Sequence, residues 1–557
     1  MVDVHLDLRQ PQSHRLTVRL RLQPRQRQLR LRLPAWTPGS YLIRDYVRQL
    51  ESLQVLQAGV VLPVRRLEPA TWQVACEGEQ ELEIRYAVMA TELSVRTAHL
   101  DQDHGFLPLA AVVLELEGER WSPHALTLAL PQGWQPFLPL PRLQDGRWLA
   151  ADFDALVDAP LEVGPHRAQT LEVLGVPHRW VTWGDGVEPV DWLQQRHPNL
   201  FRDVEAVCEA CCRLLAVSAP ASADYLFVLH LLEEGYGGLE HDNASVLVYG
   251  RSGLETADGY RRFLQLVAHE YLHQWNVRRL RPQELAPIDY HRPQLVPGLW
   301  FAEGVTSYLD QLLPIAAGLF EPATLLQDLG DDLSRYRLTP GRGVQSLQDS
   351  ATEAWVKLYR ADAYAADSQV SYYLKGAVLA LVLDLHLRRH GQALSVVLRD
   401  LWQRLGRWGR GYGNDDLVQA FSAQAPDLSE LLPRWLSSLE DPDLDGYLAD
   451  VGLMLQPDIG SEPWLGLVAR SEGAGLLAQR VHRGGPAEAA GLVVGDELLA
   501  LDQRRLQTPE HLTSRLRAGE AQELLIARRG SIRCLSVRSL PPLPKRWQLR
   551  QNPEASE

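Results

Sequence analysis

The stretch Leu264-Gln-Leu-Val-Ala-His269-Glu270-Tyr-Leu-His273-Gln-Trp275-Asn276 decides how this chain reads. Its apolar spacing predicts a helix. Residues four apart share a helix face, so His269 and His273 can turn their imidazoles toward a single metal ion. Glu270 stands beside the first imidazole, where a carboxylate can take a proton from water rather than bind the metal. Farther on, Leu299-Trp-Phe-Ala-Glu303-Gly-Val-Thr306-Ser-Tyr-Leu-Asp310 predicts a second helix with Glu303 near its start. Two imidazoles and one carboxylate make three protein ligands and leave a fourth position for water, as a catalytic zinc requires. A pair of histidines at helical spacing also occurs as a plain polar face, and Glu303 is what favours the metal. Trp275 and Asn276 read as structural, one packing below the helix and one ending it. Asp310 reads as a solvated helix face, with a hydrogen bond to a ligand as the other possibility.

A chain of 557 residues exceeds one hydrophobic core and predicts several domains. The composition, 45% apolar and 23% charged, is that of a globular protein. A net charge of −14 excludes a general nucleic-acid binder. The arginines of Leu16-Thr-Val-Arg19-Leu-Arg21-Leu22 and Leu29-Arg30-Leu-Arg32-Leu33 alternate with leucine, which predicts two strands with Arg on the wet face. Cys208, Cys211 and Cys212 resemble a metal hook, but no second Cys or His pair follows and their surroundings are apolar and helical. They read as buried reduced thiols. No signal-peptide pattern opens the chain and no run is long and uncharged enough to span a bilayer, so the expected address is the cytoplasm.

Residues 1–165 predict a β-rich domain, with short alternating runs and many turn residues. Trp36-Thr-Pro-Gly39-Ser-Tyr41-Leu-Ile-Arg44-Asp45 inside it is either a packed corner between strands or a surface meeting the catalytic domain. Residues 166–440 predict a mixed α/β catalytic domain. There Tyr225 to Leu232 reads as a buried strand, then comes a glycine-rich turn holding Gly237, Gly238, Glu240 and His241, then a strand from Val246. Glycines let this backbone approach a ligand closely and put Glu240 on its edge. Pro314 to Ser368 reads as loop-rich, before a long apolar helix opened by Ser371-Tyr372-Tyr373-Leu-Lys375-Gly376. Residues 441–545 form a linker and a β domain, and 546–557 read as a frayed tail.

Within that last domain, Trp464-Leu-Gly466-Leu and Gly484-Gly-Pro486-Ala-Glu-Ala-Ala490-Gly491-Leu-Val-Val-Gly495-Asp496 resemble a PDZ domain, with Gln503 where the family often has Gly. The whole chain resembles the glycyl aminopeptidase family of the gluzincin clan. The signatures are WTPGSYLIRD at Trp36–Asp45, GGLEH at Gly237–His241, HEYLHQWN at His269–Asn276, WFAEG at Trp300–Gly304 and SYYLKG at Ser371–Gly376. The resemblance implies a multidomain α+β protein: an N-terminal β-rich domain, a thermolysin-like gluzincin domain and a C-terminal PDZ domain. It implies a zinc aminopeptidase with one Zn2+ per chain on His269, His273 and Glu303, Glu270 as general base and then acid, and Tyr373 rather than Tyr372 holding the oxyanion. Glu240, with Gly237 and Gly238, would bind the free amino end of peptides, with a preference for Gly or Ala. Two departures stand out: the segment between His273 and Glu303, with Arg278, Arg281, Asp289 and Tyr290, is longer than in leucyl and alanyl relatives, and His241 replaces their usual Asn. The rival readings are a PDZ-assisted zinc endopeptidase and a non-catalytic PDZ scaffold. The partners expected are peptides with a free N-terminus and a peptide or C-terminus in the PDZ groove; neither a nucleic acid nor a membrane span is expected.

Overall fold

Alternating leucine and arginine build the N-terminal sheets. In the strands Arg15–Leu22 and Gln28–Arg32 every second residue is buried and the intervening ones reach solvent, as a side-chain period of two demands. The structure is a computed structural model and describes residues 1–78, 80–184, 189–473 and 475–553. Packing divides the chain into two units. The first holds Met1–Val296, Leu309–Phe320 and Ser395–Ala420; the second holds Pro297–Tyr308, Glu321–Leu394 and Phe421–Glu557.

In the first unit, the N-terminal residues form sheets of seven, five and four strands. A second five-stranded sheet follows, built from β1 (Ala168–Val173), β2 (Val176–Gly184), β3 (Tyr225–Leu232), β4 (Tyr236–Glu240) and β5 (Ala244–Gly250) in the order β1-β2-β3-β5-β4. Strands β2, β3 and β5 run parallel, and the two edges, β1 and β4, are antiparallel. The predicted glycine-rich turn is thus corrected: residues 236–240 are a strand. Glycine lowers strand propensity, so pairing with β5 in register Gly238↔Leu247 and Glu240↔Ser245 supplies what the local sequence does not.

One face of this sheet, through Val181, Leu226, Val228, Leu239 and Val246, packs on Val95, Phe106 and Phe137 of the N-terminal region. The other face carries Trp180 and Phe227, in ring contact with Phe263 and Tyr271 of helix α2 (Ala257–Leu272). Helix α1 (Leu200–Leu215) buries Cys208, Cys211 and Cys212. Burial raises the pKa of all three thiols, which keeps them protonated and inert. Helix α3 (Val305–Ala316) contributes residues to both units.

The second unit contains α4 (Pro322–Arg337), α5 (Tyr372–Arg389), α6 (Leu428–Ser437) and α7 (Leu444–Ala449). Helix α4 corrects the expectation of loop from Pro314 to Ser368. Its Pro322 sits at the first turn, where a missing N–H costs nothing, and Leu329, Leu333 and Tyr336 form its buried stripe. Past α7, strand β6 (Leu453–Ile459) precedes a sheet of β7 (Leu467–Glu472), β8 (Gly475–Val481), β9 (Glu497–Leu501), β10 (Gln522–Arg528) and β11 (Ser531–Val537), in that order, with a short helix α8 (Pro509–Thr513). Asp502 and Gln503 turn the chain after β9 with φ of 47° and 64°, left-handed values that explain why glycine is common there in the resembling domains.

The expected tail is corrected as well. Residues through 551 belong to β12 (Pro544–Gln551), which pairs with β6 and lies on α4. The Trp547 N–H donates to Ser334 Oγ at 2.9 Å and Arg546 pairs with Asp331 at 2.6 Å. Residues 554–557 lie outside the described residues.

Candidate active site

The HExxH helix is capped at its start, where Thr256 Oγ1 accepts from the Gly259 N–H at 3.0 Å. It is anchored near its end, where the Tyr271 hydroxyl meets His178 Nε2 at 2.8 Å. His269 and His273 share one face, with ring centroids 4.7 Å apart and planes at 90°. His269 Nδ1 donates to Asp310 Oδ2 at 2.8 Å, and His273 Nδ1 donates to the Asn276 carbonyl at 2.7 Å. A carboxylate and a carbonyl only accept, so each Nδ1 carries the proton and Nε2 is the nitrogen that a metal would take. Asp310 is therefore no solvated face residue; it orients His269 from α3. Asn276 acts through its backbone oxygen, a role its side-chain type cannot signal.

Glu303 sits in a single π-helical turn, Trp300–Gly304, that runs straight into α3. Such turns rotate one side chain out of the regular helical phase and recur at functional sites. Glu303 precedes Asp310 by seven residues, two helical turns, so both project from one side of the segment. His269, His273 and Glu303 form a set whose candidate ligand atoms all lie within 4.8 Å of one another. Two imidazoles with tethered Nδ1 atoms and one buried carboxylate suit zinc in donor type and number.

Glu270 and Glu240 are both buried, and with His273 they form another set within 4.8 Å. Strand β4 comes so close to α2 that a Cβ at Gly238 would overlap the Glu270 carboxylate. A Cβ at Gly39 would lie 2.5 Å from Glu240 Oε2, so the WTPGS segment packs directly against this edge. Ala35 N donates to Tyr290 O at 2.7 Å and Trp36 Nε1 to Asp289 O at 2.8 Å. The long segment after His273 is thereby bound to the N-terminal domain. Its Arg278 is buried, paired with Asp158 at 2.6 Å and Asp242 at 2.8 Å. Despite the cost of burying its carboxylate, Asp158 has its pKa held well below the usual range by Arg278 and then His241. His241 Nδ1 lies 3.3 Å from Asp158 Oδ1, so this residue ties the turn to the N-terminal domain. Gly39 lies in the WTPGSYLIRD signature, whereas Arg278 and Asp158 carried no motif and only packing reveals their pairing.

In the second unit, Tyr373 opens α5. Its hydroxyl lies 3.2 Å from that of Tyr359, which also meets Tyr372 at 3.2 Å. Tyr372 is fully buried and Tyr373 is half-buried. Burial, and then the Glu303 carboxylate, push the Tyr373 pKa well up, so it stays protonated and can donate a hydrogen bond. The last glycines of two signatures meet: a Cβ on Gly304 would lie 2.5 Å from Gly376 Cα, and one on Gly376 2.9 Å from Gly304 Cα. The segments bearing Glu303 and Tyr373 cross at this bare backbone contact.

A β-rich domain, an HExxH helix on a mixed sheet and a PDZ-type sheet define the class: a zinc metallopeptidase. Three family profiles match, described as Peptidase M61 N-terminal domain over residues 3–165, M61 glycyl aminopeptidase over 262–379 and PDZ domain over 478–529. An aminopeptidase N family protein from Idiomarina loihiensis, known from its crystal structure, is 29% identical over 99% of this chain and 98% of its own, with a TM-score of 0.91. An M1 zinc metallopeptidase from Deinococcus radiodurans is far more distant, 14% identical over 80% of this chain and 94% of its own at a TM-score of 0.49. No curated protein matches the chain. Residues 3–165 and 262–379 thus resemble the two M61 peptidase domains, followed by a PDZ-like segment. Among the described residues no helix is long and apolar enough to cross a membrane.

Proposed function

We propose that this metallopeptidase is an aminopeptidase that removes small first residues, Gly or Ala, from peptides, with one zinc on His269, His273 and Glu303. The observation that carries the reading is the Glu240 carboxylate. It ends edge strand β4, is 4% exposed, and its Oε1 has no hydrogen-bond partner among the described residues. A buried carboxylate oxygen left unpaired is costly, and an incoming ammonium offsets that cost while fixing which peptide bond is cut. Gly237 and Gly238, on the same strand, keep its edge low enough for a peptide end to reach Glu240.

Bound zinc supplies Lewis acidity, polarising the scissile carbonyl and acidifying water. Glu270 takes the proton of the attacking water and passes it to the leaving amine. The Tyr373 hydroxyl donates to the oxyanion. Small first residues accord with the description of the matching profile as glycyl aminopeptidase. Strand β7 is an edge of its sheet, suited to receiving an extended peptide by strand addition. The cysteines 76, 208, 211, 212 and 534 are unpaired, which supports a reducing compartment such as the cytoplasm.

The test is a pair of peptides beginning with Gly or Ala, one free and one acetylated at the N-terminus, offered to wild type and to Glu240→Gln. Cleavage of the free peptide only, lost in the variant, is expected. Equal cleavage of both peptides, unaffected by the variant, would make the protein an endopeptidase and remove the role of Glu240.

A further inference from the structure

We propose that His386, His390 and Asp427 form a second metal site, for a divalent ion of the zinc, copper or nickel type, at the C-terminal end of α5. It rests on residues remote in sequence from the HExxH helix and stands whether or not the aminopeptidase reading does. The spacing repeats that of the first pair: His386 lies in the last turn of the 18-residue helix α5 and His390, four residues on, is its C-cap. Both rings turn Nε2 toward the same carboxylate oxygen, Asp427 Oδ1, at 3.0 Å and 3.6 Å. Metal–ligand bonds of about 2.0–2.1 Å put neighbouring ligands of a tetrahedral ion about 3.3 Å apart; the two His–Asp separations stand near that length, and all three donors lie within 4.8 Å of one another.

The remaining ring nitrogen is held as well. His386 Nδ1 lies 2.8 Å from the Tyr447 hydroxyl on α7, the arrangement that fixes a ligating imidazole. His390 caps α5, and the carbonyl ends of a helix favour a cation. The nearby Arg389 guanidinium, stacked 3.9 Å over the Tyr447 ring, is neutralised by Asp450. Asp427 and His390 reach solvent, which gives an ion a path in and a fourth position for water.

A contrasting cluster shows what these features exclude. His104, Glu162 and His230 also gather within 4.8 Å, with His104 Nδ1 and His230 Nε2 each 2.9 Å from the carboxylate. There the side chains are 0% exposed, and His104 Nε2 and His230 Nδ1 have no hydrogen-bond partner among the described residues. Fully buried and with no oriented second nitrogen among the described residues, that cluster is a closed hydrogen-bonded knot.

The experiment counts zinc in the full-length protein after dialysis against micromolar Zn2+, for wild type, His390→Gln and Asp427→Asn, with melting temperature measured on the same samples. Both variants alter partly exposed side chains, so folding is expected to survive. Each variant is expected to hold one fewer zinc per chain than wild type. Each should also show a smaller zinc-induced rise in melting temperature than wild type, by the share that the second ion contributes, and keep its peptide cleavage. Retention of the full zinc count by both variants, or equal zinc-induced shifts in all three proteins, would overturn the proposal.

Discussion

Glu270 and Tyr373 differ in what their loss should do. Glu270→Gln keeps the shape of the side chain but removes the proposed proton acceptor, so kcat should fall by about 10²–10⁴-fold with the zinc content unchanged. Tyr373→Phe removes the proposed donor to the oxyanion, and kcat should fall by about 10²–10³-fold with KM little altered. Single-turnover kinetics with metal analysis on the same preparations checks both. Glu270 was legible because HExxH carries spacing that chemistry requires, and Tyr373 only through the resemblance of its YLKG segment to a known family. Asp310 was not: a carboxylate on a helix reads as solvated until His269 is found 2.8 Å away.

Two glycines and a buried histidine decide how the site's elements lie. Gly376→Ala would force apart the segments carrying Glu303 and Tyr373, because the new methyl meets Gly304 Cα at 2.9 Å. A loss of about 1–3 kcal/mol is expected from such overpacking, read as a lower denaturation midpoint, together with reduced activity. His178, wedged under the HExxH helix against Tyr271, has its pKa lowered from 6.5 to about 4, chiefly by burial. A depressed pKa in the folded state means that the unfolded chain binds the proton more readily. The associated stability is full above pH 6.5 and drains away as pH falls toward about 4. Urea titrations at pH 7 and pH 5 should therefore show a stability difference that shrinks in His178→Phe. Edge strand β4 was missed from sequence because glycines hide strand propensity, and α4 because Pro322, Gly330, Asp331 and Asp332 look like loop. In both cases a partner, β5 or β12, supplies the missing preference.

Across the first unit, the N-terminal domain shapes the catalytic edge through one buried ion pair. Arg278→Met would leave Asp158 charged and buried without its main counter-ion, at a cost of about 3–5 kcal/mol. Thermal unfolding checks this. Because the Asp158 pKa is depressed in the folded protein, the stabilisation is present above pH 3.8 and is lost as pH falls below it. The variant should accordingly lose part of the wild type's acid sensitivity.

By itself the sequence determined the succession of a β-rich region, an HExxH helix, a WFAEG segment, a tyrosine-led helix and a PDZ-type sheet, because period, turn residues and ligand spacing are local properties. It also determined the chemistry that His269, His273, Glu303 and Glu270 can offer, since side-chain type and helical phase suffice for that. Only the tertiary structure decided what holds those groups: Asp310 and the Asn276 carbonyl behind the imidazoles, Gly39 against Glu240, and Arg278 joined to Asp158 across 120 residues of chain. Such partners are chosen by packing and by the cost of leaving buried charge unpaired, and neither leaves a periodic trace in the sequence. The pairing of Asp427 with His386 and His390 is of the same kind, brought about where α5 ends and α6 begins.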